Sequence, residues 1–184
     1  MRKKVLVAGF FDLFHSGHVK FFENCSTYGD VYVSIGTDEN SIFIKNKKPI
    51  YIEDERLYLV NSCKFVTEAK LSYNNMGKCS FKDYLQELKP DYFIINEDSH
   101  TVEKKKICEE HNVEYIILKR EPRDGLPARS STLIRDIDSI PLRLDLVGFY
   151  DQLFFNSVVP GSVILANIQP FEVEDRSGMS SSTR

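Results

Sequence analysis

The feature that most constrains this chain is a short apolar run, Val5–Ala8, which ends at Gly9 and is followed by His15 and His18 around Gly17. An apolar run that stops at a glycine predicts a buried strand, here leading into the start of a helix. A helix N-terminus favours phosphate, because it presents unpaired N–H groups and the positive end of the helix dipole. Histidines three residues apart lie on one helix face and can reach the same anion. A partial zinc site or ordinary surface histidines would also fit this spacing, although no cysteine or third histidine lies nearby to complete a zinc shell.

Strand and helix signals alternate along most of the chain. The histidine helix is predicted to run from about Gly17 to Tyr28, and Val31–Gly36 is a second apolar run. A strand, a helix and a strand in so short a span predict a βαβ unit with parallel strands. We predict an α/β fold with a doubly wound, mostly parallel sheet, which binds its ligand beyond the carboxyl ends of the strands. Further strands are predicted at Lys64–Glu68, Tyr92–Ile95 and Val113–Leu118.

Capping residues place the helices between these strands. Ser80 is predicted to cap a helix that runs to Leu88, and Thr101 a helix that runs to Glu110. Acidic residues in a first turn favour a helix that begins at Glu53, because the helix dipole attracts them there. Two loops are predicted from their polar, Pro-rich or Gly-rich sequence, at residues 45–49 and 119–129.

The composition excludes several classes of protein. A formal net charge of −3 argues against general nucleic-acid binding, which requires a basic surplus. No apolar run reaches about 18 residues, so no membrane-spanning helix is predicted. The 4 cysteines form no C-x-x-C pair, which favours buried thiols in a reducing compartment over a zinc or disulfide framework. We therefore expect a cytoplasmic protein with no nucleic acid and no membrane among its partners.

The last part of the chain has a different pattern. Strand-like runs lead to a serine-rich end, so we predict a first domain over residues 1–138 and a short C-terminal, β-rich extension over residues 139–184. Arg143–Gly148 and Ser162–Leu165 are loosely similar to the opening strands of sugar kinases of the galactokinase and mevalonate kinase type, and Gly178–Thr183 to their phosphate loop. The extension is either a truncated kinase-like segment of a longer fused protein or a hairpin that packs on the main domain or a second subunit.

The histidine segment also carries a resemblance to a known family. The stretch from Gly9 to His18 reads GFFDLFHSGH and resembles the G-x-F-D-x-x-H-x-G-H signature of the cytidylyltransferase-like nucleotidyltransferases, above all the glycerol-3-phosphate cytidylyltransferase branch. Ser130–Arg135 resembles the family's S-[ST]-T-x-[IL]-[RK] helix start, for which a simple serine N-cap is the alternative. The resemblance spans about Lys4 to Asp136. It implies a Rossmann-like nucleotidyltransferase fold and a homodimer.

The reaction implied by this resemblance joins a phosphorylated small molecule to a nucleoside monophosphate and expels pyrophosphate. Because the acceptor phosphate is itself the nucleophile, the enzyme must supply positioning and positive charge rather than a catalytic triad. By analogy with other phosphoryl transfers, Mg²⁺ is the expected cofactor and accompanies CTP or ATP. No metal-ligating residues are predicted in the chain.

The resemblance assigns roles to individual residues. His15 and His18 match histidines that contact the triphosphate and stabilise charge at the α-phosphate. Lys45 and Lys47 match basic residues of a mobile loop that closes over the nucleotide, although composition alone predicts a solvated loop. These four are the predicted catalytic residues. The predicted nucleotide-binding residues are Gly9, Phe10, Phe11, Asp12, Gly17, Asn96, Asp98, Arg129, Ser130, Ser131 and Thr132.

Two further residues are predicted to bind the acceptor substrate. Asp38 follows the second strand, where it would touch the polar part of the acceptor. Arg56 matches a family arginine that binds the substrate phosphate or braces the loop, and an ion pair with its acidic neighbours is the alternative.

Asp12 is expected to orient the glycine turn or to act as a plain turn or capping residue. The cations nearest the second motif are Arg129 and Arg135, with Arg123 as an alternative.

The chain departs from the family pattern where the base is read. After Tyr92–Ile95 the branch has Gly-Asp-Asp-Trp, whereas this chain has Asn96–Ser99 and no tryptophan at all. We expect a cytidylyltransferase that transfers CMP from CTP to a small phosphorylated polyol, sugar or amino alcohol. An ATP-dependent adenylyltransferase remains open. So do two non-enzymatic hypotheses, a nucleotide-binding regulatory domain of a fused kinase and a structural dimer module.

Overall fold

The computed structural model of the chain describes residues 2–73 and 76–138. Within them, five strands form one parallel sheet in the order β3-β2-β1-β4-β5. The strands are β1 Lys4–Gly9, β2 Asp30–Gly36, β3 Glu68–Ser72, β4 Tyr92–Asn96 and β5 Glu114–Leu118. The α-helices are α1 Ser16–Ser26, α2 Asp38–Lys45, α3 Glu53–Asn61, α4 Lys82–Leu88, α5 Val102–Glu110 and α6 Ser131–Asp138, and a short 3-10 turn covers Glu97–Ser99.

The central strand β1 is buried on both faces of the sheet. Val5 and Val7 pack into one core cluster with Phe22 of α1. The alternate residue Leu6 packs into a second cluster with Leu85 of α4. A strand whose successive side chains enter two different cores must have helices on both sides, since neighbouring side chains point to opposite faces. This confirms the predicted α/β fold with a doubly wound parallel sheet.

The strand order locates the ligand crevice. The chain moves from β1 outward to β2 and β3, and then returns to place β4 on the other side of β1. In open parallel sheets a crevice forms beyond the carboxyl ends of the strands at such a reversal. Here that point lies after Gly9 of β1 and Asn96 of β4. The histidine segment therefore begins at the crevice.

The structure departs from the sequence-based expectations at three places. Residues 38–45, for which no helix was predicted and of which Lys45 was assigned to a loop, form helix α2, which Thr37 caps through a 3.1 Å hydrogen bond from the Asn40 N–H to its Oγ1. The predicted strand Lys64–Glu68 begins only at Glu68, because β3 is an edge strand with a polar sequence and little burial. Ser80 does not cap α4, whose N-cap is Phe81 without a side-chain hydrogen bond.

The predicted extension over residues 139–184, with its kinase-like and hairpin interpretations, lies outside the described residues. Among the residues that the structure does describe, none of the helices is both long and apolar enough to cross a membrane.

Candidate active site

Two histidines at the start of α1 form one wall of the crevice. His15 is the N-cap of α1, and its Nδ1 accepts a 3.1 Å hydrogen bond from the Gly17 N–H. The His15 and His18 rings are stacked, with centroids 3.9 Å apart and an angle of 21° between their planes. A larger residue would not fit at Gly17, because its Cβ would lie 2.9 Å from His15 Cε1. The His-x-Gly-His sequence thus holds two imidazoles side by side.

This histidine pair retains unused hydrogen-bonding capacity. His15 Nε2 and His18 Nδ1 are buried and have no hydrogen-bond partner among the described residues. Because His15 Nδ1 accepts a hydrogen bond, the proton of the neutral ring belongs on Nε2, which is then a donor. A buried polar atom without a partner is costly. A polar ligand that approached the pair would remove this cost.

Both histidines are neutral near pH 7. Burial, with the positive charges of Arg120 and Arg129, lowers the pKa of His15 to about 4. Burial, followed by the neighbouring His15 and by Arg120, lowers the pKa of His18 to about 3. Since an anion in contact with the rings favours their charged form, a triphosphate would raise these pKa values again. The pair therefore responds to a polyanion with hydrogen bonds and with proton uptake.

A cleft of about 310 Å³ opens beside His18. Segments from distant parts of the sequence line it: the β1–α1 turn, α2 with the loop that follows it, the end of β4, and the start of α6. Most of the predicted nucleotide-binding and catalytic residues lie in its lining, namely Gly9, Phe10, Phe11, Asp12, His18, Lys45, Lys47, Asn96, Asp98, Ser130, Ser131 and Thr132.

Three of the predicted site residues, His15, Gly17 and Arg129, do not line the cleft but lie next to residues that do. His15 stacks on His18, and Gly17 allows the two rings to lie close together. The side chain of Arg129 does not line the cleft, and its backbone oxygen would lie 3.3 Å from a Cβ at Gly17. The charge of Arg129 nevertheless acts on His15, and the contact between its side chain and the nucleotide stays a prediction.

Asp12 joins the two ends of the domain. Its carboxylate accepts hydrogen bonds from the backbone N–H groups of Ile50 and Tyr51, at 3.0 and 2.9 Å, and it forms an ion pair with Arg135 of α6. Burial raises the pKa of this carboxyl, but the hydrogen bonds from Tyr51, Ile50 and Arg135 outweigh it and lower the pKa. The Asp12 backbone oxygen accepts a 2.7 Å hydrogen bond from Ser131 Oγ. All of these groups hold Asp12 in place, so it positions other residues rather than offering a free carboxylate.

The start of α6 faces the cleft with backbone donors. Ser130 Oγ accepts a 3.1 Å hydrogen bond from the Leu133 N–H, as an N-cap does. Ser131, next along the chain, is bonded to the Asp12 turn. The helix N-terminus therefore points its free N–H groups and its positive dipole end toward the same cleft as His18. The N-cap interpretation and the phosphate-site interpretation both fit this geometry.

Lysines from α2 and the following loop complete the lining. Lys45 is the last residue of α2, and its Nζ lies 4.5 Å from the centroid of the Phe10 ring. Burial and the charge of Arg135 lower the pKa of Lys45. Ser41 Oγ donates a 3.1 Å hydrogen bond to the backbone oxygen of Lys47, which fixes the loop against α2. Lys45 is thus held by a helix and not by the loop that the sequence pattern predicts.

Arg56 and Asp38 do not line the cleft, so the cleft geometry does not support the predicted contact with the acceptor. The Arg56 side chain is 0% exposed. Its guanidinium donates to the backbone oxygens of Phe10, Gly36 and Tyr51 at 2.7 to 3.1 Å, and forms a 2.7 Å ion pair with Asp38. Arg56 therefore braces the turns after β1 and β2, and none of these partners lies in the loop at residues 45–49 that it was predicted to brace.

Arg120 is a cleft residue that the sequence analysis missed. It follows β5, and it forms a 2.7 Å ion pair with Asp98 and a 3.1 Å hydrogen bond to the Arg129 backbone oxygen. Its charge lowers the pKa of both His15 and His18. A signal was available, since the first charged residues after a parallel strand stand at the ligand edge of the sheet. Arg123, which the sequence also offers as a cation for this region, does not line the cleft.

The carboxylates near the cleft do not form a metal site. Across residues 2–73 and 76–138, no group of three or more His, Cys, Asp or Glu side chains could hold a metal ion. Asp12 and Asp98, which line the cleft, are paired with Arg135 and Arg120. Among the described residues, the carboxylates near the cleft therefore do not fit a resident Mg²⁺.

Comparison with curated proteins identifies the family. The sequence profile of the cytidylyltransferase-like family matches residues 6–182. An FAD synthase of Methanocella arvoryzae is 29% identical over 137 residues, which cover 73% of this chain and 94% of that protein. An FAD synthase of Archaeoglobus profundus is 35% identical over 102 residues, 55% of this chain and 63% of that protein.

Comparison with solved structures supports the fold. A lipopolysaccharide core biosynthesis protein of Thermoplasma volcanium superposes with a TM-score of 0.57 at 24% identity, over 67% of this chain and 100% of its own. The pantoate–β-alanine ligase of Francisella tularensis superposes with a TM-score of 0.50 at 14% identity, over 75% of this chain and 69% of its own. With a histidine pair and a helix N-terminus on one cleft and a profile match along nearly the whole sequence, this chain belongs to the cytidylyltransferase-like family and is a nucleotidyltransferase.

Proposed function

We propose that this chain transfers a nucleoside monophosphate from ATP to a small phosphorylated acceptor and releases pyrophosphate. The observation that carries the proposal is the shared cleft: His18 on one side and the N-terminus of α6 on the other, joined through Asp12. Both sides offer hydrogen-bond donors, and Lys45 and Arg120 add positive charge. A triphosphate is the ligand whose length and charge suit such a cleft.

The proposed reaction uses this chain's donors and cations in one displacement. A phosphate oxygen of the acceptor attacks the α-phosphorus, a new P–O bond forms, and the bond from that phosphorus to the bridging oxygen of the β-phosphate breaks. His18 and Lys45 donate hydrogen bonds to the α-phosphate as its negative charge spreads. The α6 N-terminus holds the β- and γ-phosphates, so the leaving pyrophosphate keeps its electron pair and its contacts.

The second part of the proposal is which nucleotide, ATP or CTP, serves as the donor. The resemblance of the histidine segment favours CTP, whereas the base-reading stretch Asn96–Ser99 departs from that branch. Two of the most similar relatives are FAD synthases. Since FAD is FMN joined to an adenosine monophosphate, making it from FMN is adenylyl transfer. We therefore favour ATP, and we keep cytidylyl transfer from CTP to a polyol phosphate as the second candidate.

Three further expectations remain proposals. We propose that Mg²⁺, where it takes part, arrives on the triphosphate, because the carboxylates of the cleft are already paired. We propose a homodimer, which light scattering of the purified chain tests. We also propose that residues 1–138 fold as one domain, which limited proteolysis followed by mass determination tests.

A pyrophosphate-release assay tests the function. The full chain is assayed with ATP or CTP against glycerol 3-phosphate, glucose 1-phosphate, phosphocholine and FMN. We expect turnover with ATP and one class of acceptor, and its loss in His18→Ala but not in His111→Ala, since His111 lies outside the cleft. Faster turnover with CTP contradicts the adenylyl assignment alone. ATP binding by calorimetry without any pyrophosphate release contradicts the enzymatic proposal and favours a regulatory domain.

A further inference from the structure

A second cavity of about 380 Å³ adjoins the nucleotide cleft. The residues that line both are Ala8, Gly9, Phe10, Lys45, Asp98 and Ser99. The second cavity then extends away from the histidines, between the turn at residues 77–80 and the start of α5. A transferase needs room for two substrates that meet at the α-phosphate. Lys45 stands where the two cavities meet, so the reacting phosphate of an acceptor in the second cavity would lie beside it.

The far wall of this second cavity carries two lysines, Lys78, which is exposed, and Lys104. Lys104 lies half-buried in the first turn of α5, and its Nζ donates a 2.8 Å hydrogen bond to the Ser99 backbone oxygen. Lys78 lies on the neighbouring turn and lines the same cavity. Neither forms an ion pair with a carboxylate in the described residues, although burial of Lys104 lowers its pKa. The Ser99 hydrogen bond and the charge of Asp98 offset only part of the cost of burying this ammonium, since its pKa remains lowered.

Some lysines elsewhere in the described chain do form ion pairs with carboxylates. Lys105, the residue after Lys104, pairs with Glu109 at 3.7 Å, and Lys70 pairs with Glu87 at 2.8 Å. The one carboxylate in the described lining of the second cavity is Asp98, which is already paired with Arg120 at 2.7 Å. The N-terminus of α5, capped by Thr101, adds a positive dipole end to the same wall. This wall thus attracts an anion.

The second cavity offers little open phenylalanine surface, because one of its two phenylalanines is buried and the other is half-buried; the remaining aromatic ring in the described lining is the exposed imidazole of His100. Phe81 is 0% exposed. The Phe10 ring has the Lys45 ammonium 4.5 Å from its centroid, and it packs so closely on Gly36 that a Cβ there would lie 2.6 Å from Phe10 Cε1. A flat apolar ring system such as a flavin gains most of its affinity from stacking on an aromatic face. The polar groups of the lining suit a hydrophilic molecule better.

We propose that the second cavity binds a small, non-aromatic acceptor that carries a further anionic group besides the phosphate that reacts, and that Lys78 and Lys104 bind this group. The inference rests on the proposed function, because it places the reacting phosphate at Lys45. Lys104 lines only the second cavity, whereas Lys45 lines both. The cavity is several times larger than one phosphate group, so a molecule with anionic groups at two ends would span it.

Binding measurements on the full chain test this proposal with a matched pair of probes. Glycerol 3-phosphate and 3-phosphoglycerate share a three-carbon skeleton and a phosphate, and they differ in that the second carries a carboxylate. By calorimetry in the presence of a non-hydrolysable ATP analogue, we expect 3-phosphoglycerate to bind at least about fivefold more tightly. FMN, the aromatic probe with one phosphate, should bind more weakly than 3-phosphoglycerate.

Substitutions assign the preference to the lysines. Lys104→Gln and Lys78→Gln should each reduce the preference for 3-phosphoglycerate to less than about twofold while affinity for glycerol 3-phosphate persists. Lys104→Arg should restore the preference, and Lys105→Gln should not alter it. Circular dichroism confirms that each variant is folded.

The outcomes separate this inference from the proposed function. Equal affinity for the two three-carbon probes, no binding of either, or tighter binding of FMN overturns the inference. If pyrophosphate is nevertheless released with another acceptor, the proposed function stands without it. Selective binding of 3-phosphoglycerate without pyrophosphate release from any acceptor supports the cavity and contradicts the transferase reaction.

Discussion

The two walls of the nucleotide cleft are built in different ways. The histidine wall is a rigid turn in which Phe11 and Leu13 adopt left-handed backbone angles, φ 53° and 50°, that side chains other than glycine seldom accept. Arg120 lines another side of the cleft, which we call the outer wall. It lies on an exposed segment and is held by an ion pair with Asp98 and a hydrogen bond to the Arg129 backbone oxygen. The groups proposed to act on the reacting phosphate are therefore fixed by the fold. The Arg120 guanidinium of the outer wall is held by contacts that a substrate can exchange.

Removing a group from the rigid wall should have the largest effect. His18→Ala deletes a donor at the α-phosphate, and we expect kcat/KM for pyrophosphate release to fall by about a thousandfold. The matched control is His111→Ala, which removes a histidine far from the cleft and should change kcat/KM by less than about twofold. A loss below about tenfold in His18→Ala would mean that the histidine wall is not the reactive one.

Removing Asp12, which links the β1–α1 turn to α6, should have the next largest effect. Asp12→Ala removes the acceptor for the Ile50 and Tyr51 N–H groups and leaves the Arg135 charge unpaired. We expect the free energy of unfolding, measured by urea denaturation, to fall by about 3 kcal/mol, because a buried ion pair loses one partner. Asp12→Asn keeps an acceptor and should lose less. Equal losses in both variants would show that charge, rather than hydrogen bonding, holds the walls together.

Weakening the outer wall should have a moderate effect. Arg120→Gln removes a cation that faces the triphosphate, so we expect the KM for the nucleotide to rise by about 10- to 30-fold while kcat changes less. Arg123→Gln is the comparison, because the sequence alone does not distinguish the two arginines. A larger rise in KM for Arg123→Gln would reverse the assignment that the cleft geometry favours.

The two walls also differ in how far the sequence predicts them. The segment from Gly9 to His18 encodes its structure locally, since a strand, a turn and a helix start follow one another without interruption. Arg120 could not be assigned in that way, because its role depends on Asp98 and Arg129, which contact it only in the folded chain. Arg56 shows the same limit. Its acidic neighbours in sequence suggested a local pair, yet the fold directs its guanidinium to Asp38 and to three backbone oxygens.

Helix α2 and strand β3 were missed for a different reason. In α2 three apolar residues, Ile42 to Ile44, stand together rather than at helical spacing, and β3 is mostly polar, so neither shows the apolar periodicity by which buried elements are recognised. In α2 the cap at Thr37 and the left-handed Asn46 at its end define the helix, with φ 48° at Asn46. These are local signals, and attention to capping rather than to hydrophobicity would have found them.

The smallest expected effect is the pH dependence of stability that the buried, neutral His18 ring causes. Burial lowers the pKa of His18 to about 3, against an ordinary value of 6.5, so between these values the unfolded chain binds a proton that the folded chain does not. The contribution of His18 to stability is therefore complete above pH 6.5 and is lost as the pH falls. Between pH 6.5 and pH 5 we expect the titration of His18 alone to lower the free energy of unfolding by about 1–2 kcal/mol, and His15, which is less buried and whose pKa is lowered to about 4, to add to this loss.

His18→Gln separates this effect from the titration of other groups. The variant keeps a polar side chain and removes the titrating ring, so its free energy of unfolding should depend less on pH over the same interval. Asp12 does not interfere, because its pKa is lowered from 3.8 and its titration lies below this interval. With saturating ATP analogue the pH dependence of the native protein should also weaken, since the polyanion raises the histidine pKa values toward those of the unfolded chain. An unchanged slope in both experiments would mean that the imidazoles are already charged in the free protein, and that the two walls of the cleft differ in rigidity alone.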